Sequence, residues 1–228
     1  MQPKEVKIRQ IIPLSPTVRT FVLPKLFDYK PGQFAVLFEN INGEKTNRPY
    51  SFSSSPTESG MAVTIKLIPE GKMTQYIFRL KEGDILHMAG PFGEFIYDPG
   101  HKDIICIAGG SGIAPIRGMI RYIEDNRLST KITLFFTART PDDLLFKQEF
   151  DALQKKRKNF KVIYIVTRYE KWEGLKERIS KELIEKNSGN PKRCHYYVCG
   201  PRPMQMGIKT ALGQIGVPKE NIKVDVWG

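Results

Sequence analysis

Residues 104–115 read IICIAGGSGIAP, an apolar run that leads directly into three glycines within four positions. The run is typical of a buried strand, and Gly109, Gly110 and Gly112 let the backbone turn tightly before a helix begins. Three further apolar runs, at residues 132–137, 162–166 and 195–199, alternate with helical stretches after it. This alternation predicts βαβ units and a parallel sheet with helices on both faces. We therefore predict a Rossmann-like α/β domain over residues 100–228.

The sequence before residue 100 follows a different pattern, in which short β-rich runs are separated by Pro, Gly, Asn and Asp. We predict six strands from the runs VKIRQII, TVRTFVL, QFAVLF, YSFSS, MAVTIKLI and DILHMA. So many short strands in such a length indicate a small antiparallel β-barrel. One short helix is expected at residues 74–80. The predicted N-terminal domain therefore covers residues 1–99, with its boundary near residues 98–102.

The counts of cysteine and histidine bear on metal sites, and the apolar runs of the sequence bear on cellular location. Three cysteines cannot hold an iron–sulfur cluster of the four-thiolate type, and the three histidines show no spaced ligand pair, so we predict no metal. No apolar run approaches the ~20 residues that span a bilayer. The start MQPKEVKIRQ also lacks the apolar core of a signal peptide. We expect a cytoplasmic protein without a membrane span.

The formal net charge of +12 suits a phosphate-rich ligand, an acidic protein or nucleic acid. No basic stripe is interleaved with aromatic residues and no nucleic-acid module is recognisable, so we expect no nucleic-acid binding. The densest basic run, KKRK at residues 155–158, follows a predicted amphipathic helix at residues 144–153. We interpret this run as a solvated helix end, which is favourable beside the negative end of the helix dipole.

Several motifs could bind an anion, and each also has a purely structural explanation. The glycine turn presents amides and a helix start to a phosphate, although it lacks the full G-x-G-x-x-G pattern and such glycines are common for steric reasons. CGPRPM, at residues 199–204, follows the last clear strand and could border a ligand or simply be buried. Arg139 and Arg168 each follow a strand, where they could grip phosphate or remain solvated. EGKMT, at residues 70–74, offers a helix start with the Thr74 hydroxyl or an ordinary cap.

The motifs RPYS, GKMT, GPFGEF, GGSGIAP and CGPRPM occur in this order across nearly the whole chain. In this order the sequence resembles the ferredoxin–NADP reductase superfamily. The resemblance implies an N-terminal flavin-binding barrel and a C-terminal pyridine-nucleotide domain, with the isoalloxazine ring between them. It also implies that GPFGEF is a structural turn before the linker.

The resemblance assigns roles to particular residues. It implies that Arg48 pairs with the flavin pyrophosphate, Tyr50 lies on the isoalloxazine face, and Ser51 bonds near flavin N5. Cys199 would position the nicotinamide, and Trp227 would cover the flavin or serve as a buried anchor. The remaining residues that we expect to contact a cofactor are Pro49, Gly71, Lys72, Met73, Thr74, Gly109, Gly110, Gly112, Ile113, Arg139, Arg168, Gly200 and Pro201.

We expect a flavoenzyme that takes hydride from NADPH or NADH and passes single electrons to a separate acceptor. An acidic ferredoxin or flavodoxin would suit the positive charge of this chain. FAD is expected, with FMN as the alternative. The two arginines favour NADPH slightly, whereas Asp142 and Asp143 could accept a hydrogen bond from the free ribose hydroxyl of NADH. Two other interpretations stay open, namely the reductase component of an oxygenase system and a non-catalytic basic binding module.

Overall fold

The computed structural model of the chain describes residues 2–226 and divides into two compact units. Unit 1 comprises Met1–Tyr97 and Arg117–Asn126, and unit 2 comprises Asp98–Ile116 and Arg127–Gly228. Each unit contains its own cluster of buried apolar side chains. Each therefore has the interior that a domain needs.

The described part of unit 1 contains seven strands, one short helix and, from Arg117 onward, most of a longer helix that begins in unit 2. In chain order the strands and the short helix are β1 (Lys4–Lys7), β2 (Gln10–Ser15), β3 (Val18–Pro24), β4 (Phe34–Ile41), β5 (Glu44–Ser51), β6 (Gly60–Lys66), α1 (Lys72–Ile77) and β7 (Ile85–Phe92). They form two antiparallel sheets, with strand orders β1-β7-β4-β5 and β2-β3-β6. Phe52, directly after β5, bridges to Val63 of β6, which links the two sheets. The predicted antiparallel, barrel-like N-terminal half is confirmed.

The prediction of six strands was wrong at two places. The run VKIRQII forms two strands, because the Ile8 amide donates to Asp84 beside β7 while the next amide, at Arg9, donates to Val22 of β3. Neighbouring residues thus pair with different sheets. The run YSFSS is mostly not a strand, because β5 begins at Glu44 and ends at Ser51. Strand β7 also continues into GPFGEF as far as Phe92, and helix α1 begins two residues before the predicted start.

The described part of unit 2 contains five strands that alternate with helices. In chain order these are β8 (Asp103–Gly109), α2 (Ile113–Asp125), β9 (Lys131–Ala138), α3 (Lys147–Lys156), β10 (Phe160–Val166), α4 (Lys181–Asn187), β11 (His195–Gly200), α5 (Arg202–Ile215) and β12 (Ile222–Val226). Only the first four residues of α2 belong to unit 2, and the rest of that helix belongs to unit 1. All five strands are parallel, in the order β10-β9-β8-β11-β12. The predicted parallel α/β sheet is confirmed.

Burial in unit 2 follows from this topology. Six of the seven residues of β8 are buried, as expected for a central strand covered on both faces. Helix α3 begins three residues later than predicted, because a 3-10 turn at Pro141–Asp143 comes first and Phe146 then adopts a left-handed φ of 59°. Lys155 and Lys156 therefore belong to the last turn of α3, where cations are favourable.

Candidate functional site

The four serines at residues 51–55 divide into two groups. Ser53, Ser54 and Ser55 are buried and bonded within unit 1. Thr64 Oγ1 donates to Ser53 Oγ at 2.8 Å, and the Ser54 hydroxyl lies 2.7 Å from Tyr29 Oη. Ser55 Oγ lies 2.6 Å from the hydroxyl of Thr57. These three hydroxyls are used by the fold.

The other group consists of Ser51 and its neighbour Tyr50, at the end of β5. Tyr50 Oη and Ser51 Oγ are both buried, and neither has a hydrogen-bond partner among the described residues. Burial raises the pKa of Tyr50 to about 12, because it disfavours the phenolate. A buried polar atom without a partner costs roughly 1–3 kcal/mol. These two hydroxyls therefore have the chemistry of a ligand contact.

An open groove of about 400 Å³ in the same unit is lined by the earlier part of β5, from Glu44 to Arg48. It brings together the two motifs RPYS and GKMT, and its lining residues are Glu44, Lys45, Thr46, Asn47, Arg48, Glu70, Gly71 and Lys72. Arg48 is exposed, with Nη1 donating to the Asn47 carbonyl at 2.7 Å. Lys72 Nζ lies 2.6 Å from Glu44 Oε2 and holds the pKa of that carboxyl below its usual value. Three cations, Lys45, Arg48 and Lys72, thus share one groove with two carboxylates, Glu44 and Glu70.

Helix α1 begins at this groove, and here the structure differs from the sequence expectation for Thr74. Thr74 Oγ1 accepts from the Ile68 amide at 3.1 Å and lies 3.1 Å from the Gly71 carbonyl oxygen. Its hydroxyl proton is therefore already used by the preceding turn. Met73 is buried. The donors that this segment can still offer are the backbone amides of the first helical turn, which have no acceptor within a helix.

In unit 2 the glycine turn after β8 lies against the CGP turn after β11. A Cβ on Gly112 would be 2.4 Å from the Cys199 carbonyl oxygen. Gly200 has a φ of +155°, and a Cβ there would be 2.9 Å from the Gly109 amide nitrogen. Backbone packs on backbone at these positions, so no other residue type fits.

The strand order explains why these turns meet. The chain starts at β8 and extends to β9 and β10 on one side, and then returns to β11 and β12 on the other. Such a reversal opens a crevice at the carboxyl ends of the strands, where α/β sheets bind nucleotides. Gly110, with a φ of +55°, has open space where a Cβ would be. Ile113 is buried and begins α2.

Cys199 is buried at the end of β11, and its Sγ donates to Asp225 Oδ2 at 3.6 Å. Gln205 holds this region together, because its Nε2 donates to the carbonyls of Gly200 at 2.7 Å and Asp225 at 2.6 Å. Sequence reasoning missed Gln205, although the usable signal was a glutamine near the predicted start of the helix that follows the CGP turn. Pro201 is the exposed N-cap of α5. Trp227 lies outside the described residues.

Arg139 and Arg168 follow the neighbouring strands β9 and β10, and both are exposed. The Arg168 amide donates to the Arg139 carbonyl at 2.9 Å, so the two backbones are adjacent at the same sheet edge. Asp142 is exposed close by, whereas Asp143 Oδ2 accepts from Thr140 Oγ1 at 3.1 Å. Both the cations and the carboxylates considered for coenzyme choice are therefore present at this edge.

Two family models match the chain. The oxidoreductase FAD-binding domain matches residues 5–97, and the oxidoreductase NAD-binding domain matches residues 106–210. The chain belongs to the ferredoxin–NADP reductase superfamily. It contains an FAD-binding and an NAD-binding domain of the oxidoreductase type. These matches favour an enzyme over the non-catalytic binding module.

Curated relatives are about one-third identical to this chain over the residues that align. The gamma subunit of sulfhydrogenase 1 from Pyrococcus furiosus is 36% identical, over 96% of this chain and 77% of that protein. A subunit of the Na⁺-translocating NADH-quinone reductase of Pseudoalteromonas atlantica is 34% identical, over 81% of this chain and 50% of that protein. The reductase subunit of glycine betaine monooxygenase from Pseudomonas aeruginosa is 31% identical, over 92% of this chain and 60% of that protein. The chain thus spans about half the length of the NADH-quinone reductase relative.

A solved structure shares the fold. The ferredoxin–NADP⁺ reductase from Neisseria gonorrhoeae with bound FAD and NADP has a TM-score of 0.86 to this chain at 22% identity. The match covers 99% of this chain and 98% of that one. Two observations concern the described residues alone. None of their helices is long and apolar enough to cross a membrane, and no group of three His, Cys, Asp or Glu residues among them could hold a metal ion.

Proposed function

We propose that this chain is the reductase component of a multi-protein electron-transfer system. It takes hydride from NAD(P)H and delivers electrons to a separate protein, such as an acidic ferredoxin or flavodoxin. The observation that carries the proposal is the pair of buried hydroxyls of Tyr50 and Ser51, without a partner among the described residues, at the end of a strand that lines a groove with three cations. FAD, when bound, supplies the redox chemistry, because a flavin handles both two-electron and one-electron steps.

Unit 1 supplies the groups that would hold FAD. Arg48 and Lys72 would neutralise the FAD diphosphate in this proposal, which is supported by their position in the lining of the groove and by the strength of charge-assisted bonds to phosphate. The Tyr50 ring and the Ser51 hydroxyl would contact the isoalloxazine. Gly71 keeps the turn before α1 open, because a Cβ there would be 2.7 Å from Thr74 Oγ1. Pro49 lies opposite Val36 of β4 in an unbroken strand register, so Arg48 and Tyr50 on either side of it lie on a regular strand.

Unit 2 supplies the groups that would hold the dinucleotide. The turn from Gly109 to Ile113 offers backbone amides and a helix start to phosphate oxygens. Cys199, Gly200 and Pro201 would border the nicotinamide. We assign Cys199 a positioning role, because its thiol is buried and already donates to Asp225. Hydride transfer needs close and correct geometry rather than a nucleophile.

The coenzyme is NADPH in this proposal, because Arg139 and Arg168 are exposed and adjacent at the ends of β9 and β10. Their guanidinium groups suit a 2′-phosphate. Arg168→Ala is therefore expected to raise the KM for NADPH at least about tenfold, as the loss of one charge-assisted contact implies, and to change the KM for NADH less than about twofold. Equal effects on both coenzymes would contradict the 2′-phosphate role and favour NADH.

A second candidate acceptor is the oxygenase component of a multi-protein system. A relative named as a monooxygenase reductase subunit, 31% identical over 92% of this chain, favours it. The two candidates share the same coenzyme chemistry and differ in the protein that receives the electrons.

The first experiment is the visible absorbance spectrum of the purified protein, recorded without oxygen before and after NADPH or NADH is added. Flavin bands that bleach would support the proposal, and the faster nucleotide would identify the coenzyme. Reduction of an added acidic ferredoxin would then support the carrier over the oxygenase component. A protein that takes up neither FAD nor FMN would contradict the proposed roles of unit 1.

A further inference from the structure

The positive charge of the chain is not shared equally by the two units. Unit 1 contains 14 Lys and Arg residues against 11 Asp and Glu, a net charge of +3. Unit 2 contains 22 against 13, a net charge of +9. Most of the surplus charge therefore belongs to the unit that would hold the dinucleotide.

Within unit 2 the surplus lies at one edge of the sheet. The carboxyl ends of the strands and the segments beside them, which we name the glycine edge, are residues 109–116, 138–149, 166–182, 199–203 and 224–225. This edge has 8 basic and 8 acidic residues. The charges of the proposed dinucleotide edge therefore balance.

The amino ends of the strands form the opposite edge, which we name the basic edge. Helices α3, α4 and α5 each end a few residues before the next strand starts, so the helix ends lie at this edge too. The basic edge comprises residues 98–103, 127–131, 155–161, 185–193 and 219–223. It has 13 basic residues against 4 acidic ones. The whole surplus of unit 2 therefore lies here, since Lys209 and Asp151, in the middle of helices, cancel.

Hydrogen bonds show that the basic edge is one continuous surface. Arg157 Nη2 donates to the Thr130 carbonyl at 2.8 Å, which joins the end of α3 to the start of β9. Lys161 Nζ donates to Asn187 Oδ1 at 2.8 Å, which joins β10 to the end of α4. Five strands at a spacing of about 4.8 Å make an edge roughly 20 Å long.

Several cations of the basic edge remain available to a partner. Arg157 is used by the fold, and Lys131 is paired with Asp103 at 3.1 Å. By contrast, Lys158, Lys192 and Arg193 are exposed, and none of them forms an ion pair with a residue in the described part of the chain. The negative ends of α3 and α4 stabilise the lysines in their last turns. That local effect does not neutralise nine unit charges.

We propose that the basic edge is a docking surface for the acidic face of a partner protein. Ten of its 13 cations are lysines, which suit long-range attraction of carboxylates better than bidentate recognition of phosphate. A membrane surface is disfavoured, because the large exposed apolar side chains of the described residues lie elsewhere, at Ile12, Ile68, Ile85, Tyr169, Leu175 and Met206. Nucleic acid is disfavoured, because the one exposed aromatic side chain among the described residues, Tyr169, lies at the glycine edge and not on this surface.

The partner on this surface leaves the dinucleotide site open. The strands of unit 2 have five to eight residues, so the two edges are roughly 20 Å apart at about 3.3 Å per residue. The inference extends the proposed function by separating the surface that anchors a partner from the edge that binds coenzyme. It rests on the proposed function only in assuming that a partner protein exists.

The test uses the FAD-loaded protein and fluorescently labelled poly-L-glutamate as an acidic polypeptide probe. The edge variant is Lys158→Glu, Lys192→Glu and Arg193→Glu together. The matched control is Lys4→Glu, Lys7→Glu and Lys30→Glu, which changes net charge equally at exposed positions of unit 1. We expect the edge variant to bind the probe at least about tenfold more weakly at low salt and the control less than about twofold. Saturating probe should leave ferricyanide reduction by NADPH unchanged.

Three results would overturn the inference. They are equal loss of binding in both variants, competition between the probe and NADPH, and tighter binding of the wild type to duplex DNA or phosphatidylserine vesicles than to the probe. Flavin content and circular dichroism establish that both variants are folded. If NADPH fails to bleach the wild-type flavin, the proposed function fails whatever the probe does. If bleaching is normal and the variants behave alike, only the docking surface fails.

Discussion

The hydroxyls that we propose to contact the flavin ring in unit 1 belong to side chains, whereas the phosphate contacts that we propose in unit 2 belong to a backbone turn that is packed too closely for a Cβ at Gly112. Tyr50 and Ser51 have buried hydroxyls with no described partner, and the packing of unit 1 does not use them. Gly112 and Gly200 instead hold two turns of unit 2 in contact. Ligand binding and folding are therefore separable in unit 1 and coupled in unit 2.

The largest expected effect tests the coupled side of this comparison. Gly112→Ala would put a Cβ 2.4 Å from the Cys199 carbonyl oxygen, which we expect to destabilise unit 2 by about 3 kcal/mol. Because the same shift displaces the coenzyme turn, flavin reduction by NADPH should fall more than about a hundredfold. Thermal unfolding and stopped-flow absorbance measure the two effects.

The control is the same substitution at Gly207, in helix α5, where a Cβ meets nothing within 4 Å. Gly207→Ala should stabilise the protein by about 0.5–1 kcal/mol, as alanine does in a helix interior. If the two alanine variants behave alike, the close packing of the glycine turn is not what couples folding to binding.

Arg48→Ala tests the separable side. We expect the dissociation constant for FAD to rise about 10- to 100-fold, which corresponds to losing one charge-assisted bond of about 1.5–3 kcal/mol. The melting temperature of the protein without flavin should not change, because Arg48 is exposed and bonds only to its neighbour in the described structure. Lys30→Ala, which removes another exposed cation of unit 1, should change neither quantity. A drop in the melting temperature of the flavin-free protein would break the comparison.

Two serines of one stretch sharpen the comparison further. Ser51→Ala should slow flavin reduction up to about tenfold and leave the stability of the flavin-free protein unchanged, because Ser51 Oγ has no described partner. Ser53→Ala should cost about 1–2 kcal/mol of stability, because Ser53 accepts from Thr64. It should leave the reduction rate unchanged. Denaturant titration and stopped-flow absorbance measure both, and the reverse pattern would refute the assignment of these hydroxyls.

The fold class was predictable because its signals are local. A buried run followed by Gly109, Gly110 and Gly112 needs only its own backbone to turn, and the alternation of strands and helices after it predicts the parallel sheet. The break inside VKIRQII was not predictable, because it depends on which strands accept the backbone hydrogen bonds of Ile8 and Arg9. The acceptors are the carbonyls of Asp84 and Val22, which are distant in the sequence.

The roles of the serines were hidden for the same reason. Which hydroxyl lacks a partner depends on Thr64, Ala62 and Tyr29, which are 8 to 25 residues away from the serines they bind. The basic edge was visible in principle. Once strands and helices alternate, strand starts and helix ends must share an edge, so the charges could have been sorted by position in the chain.

The smallest expected effect is a loss of stability of unit 2 at low pH. It would arise from two histidines at or beside the basic edge, opposite the proposed dinucleotide edge. The rings of His101 and His195 stack with centroids 3.4 Å apart. His101 Nδ1 lies 2.8 Å from Tyr197 Oη, and His101 Nε2 lies 3.7 Å from the Asp98 carboxylate. Burial lowers the pKa of both histidines, and the neighbouring His195 lowers the pKa of His101 further. The folded state therefore binds these protons less readily than the unfolded state.

Because the pKa of each histidine is lower in the folded state, protonation favours the unfolded state. The stability is therefore complete above the unfolded-state pKa of 6.5, and it is lost as pH falls from there towards the pKa of the folded state. We expect the melting temperature of unit 2, followed by Trp172 fluorescence, to fall between about pH 7.5 and about pH 5.5. His195→Asn removes one titrating ring and the repulsion on the other, so the fall should be smaller in that variant. An unchanged fall would show that the acid sensitivity of unit 2 arises elsewhere, for example among the carboxylates of the glycine edge.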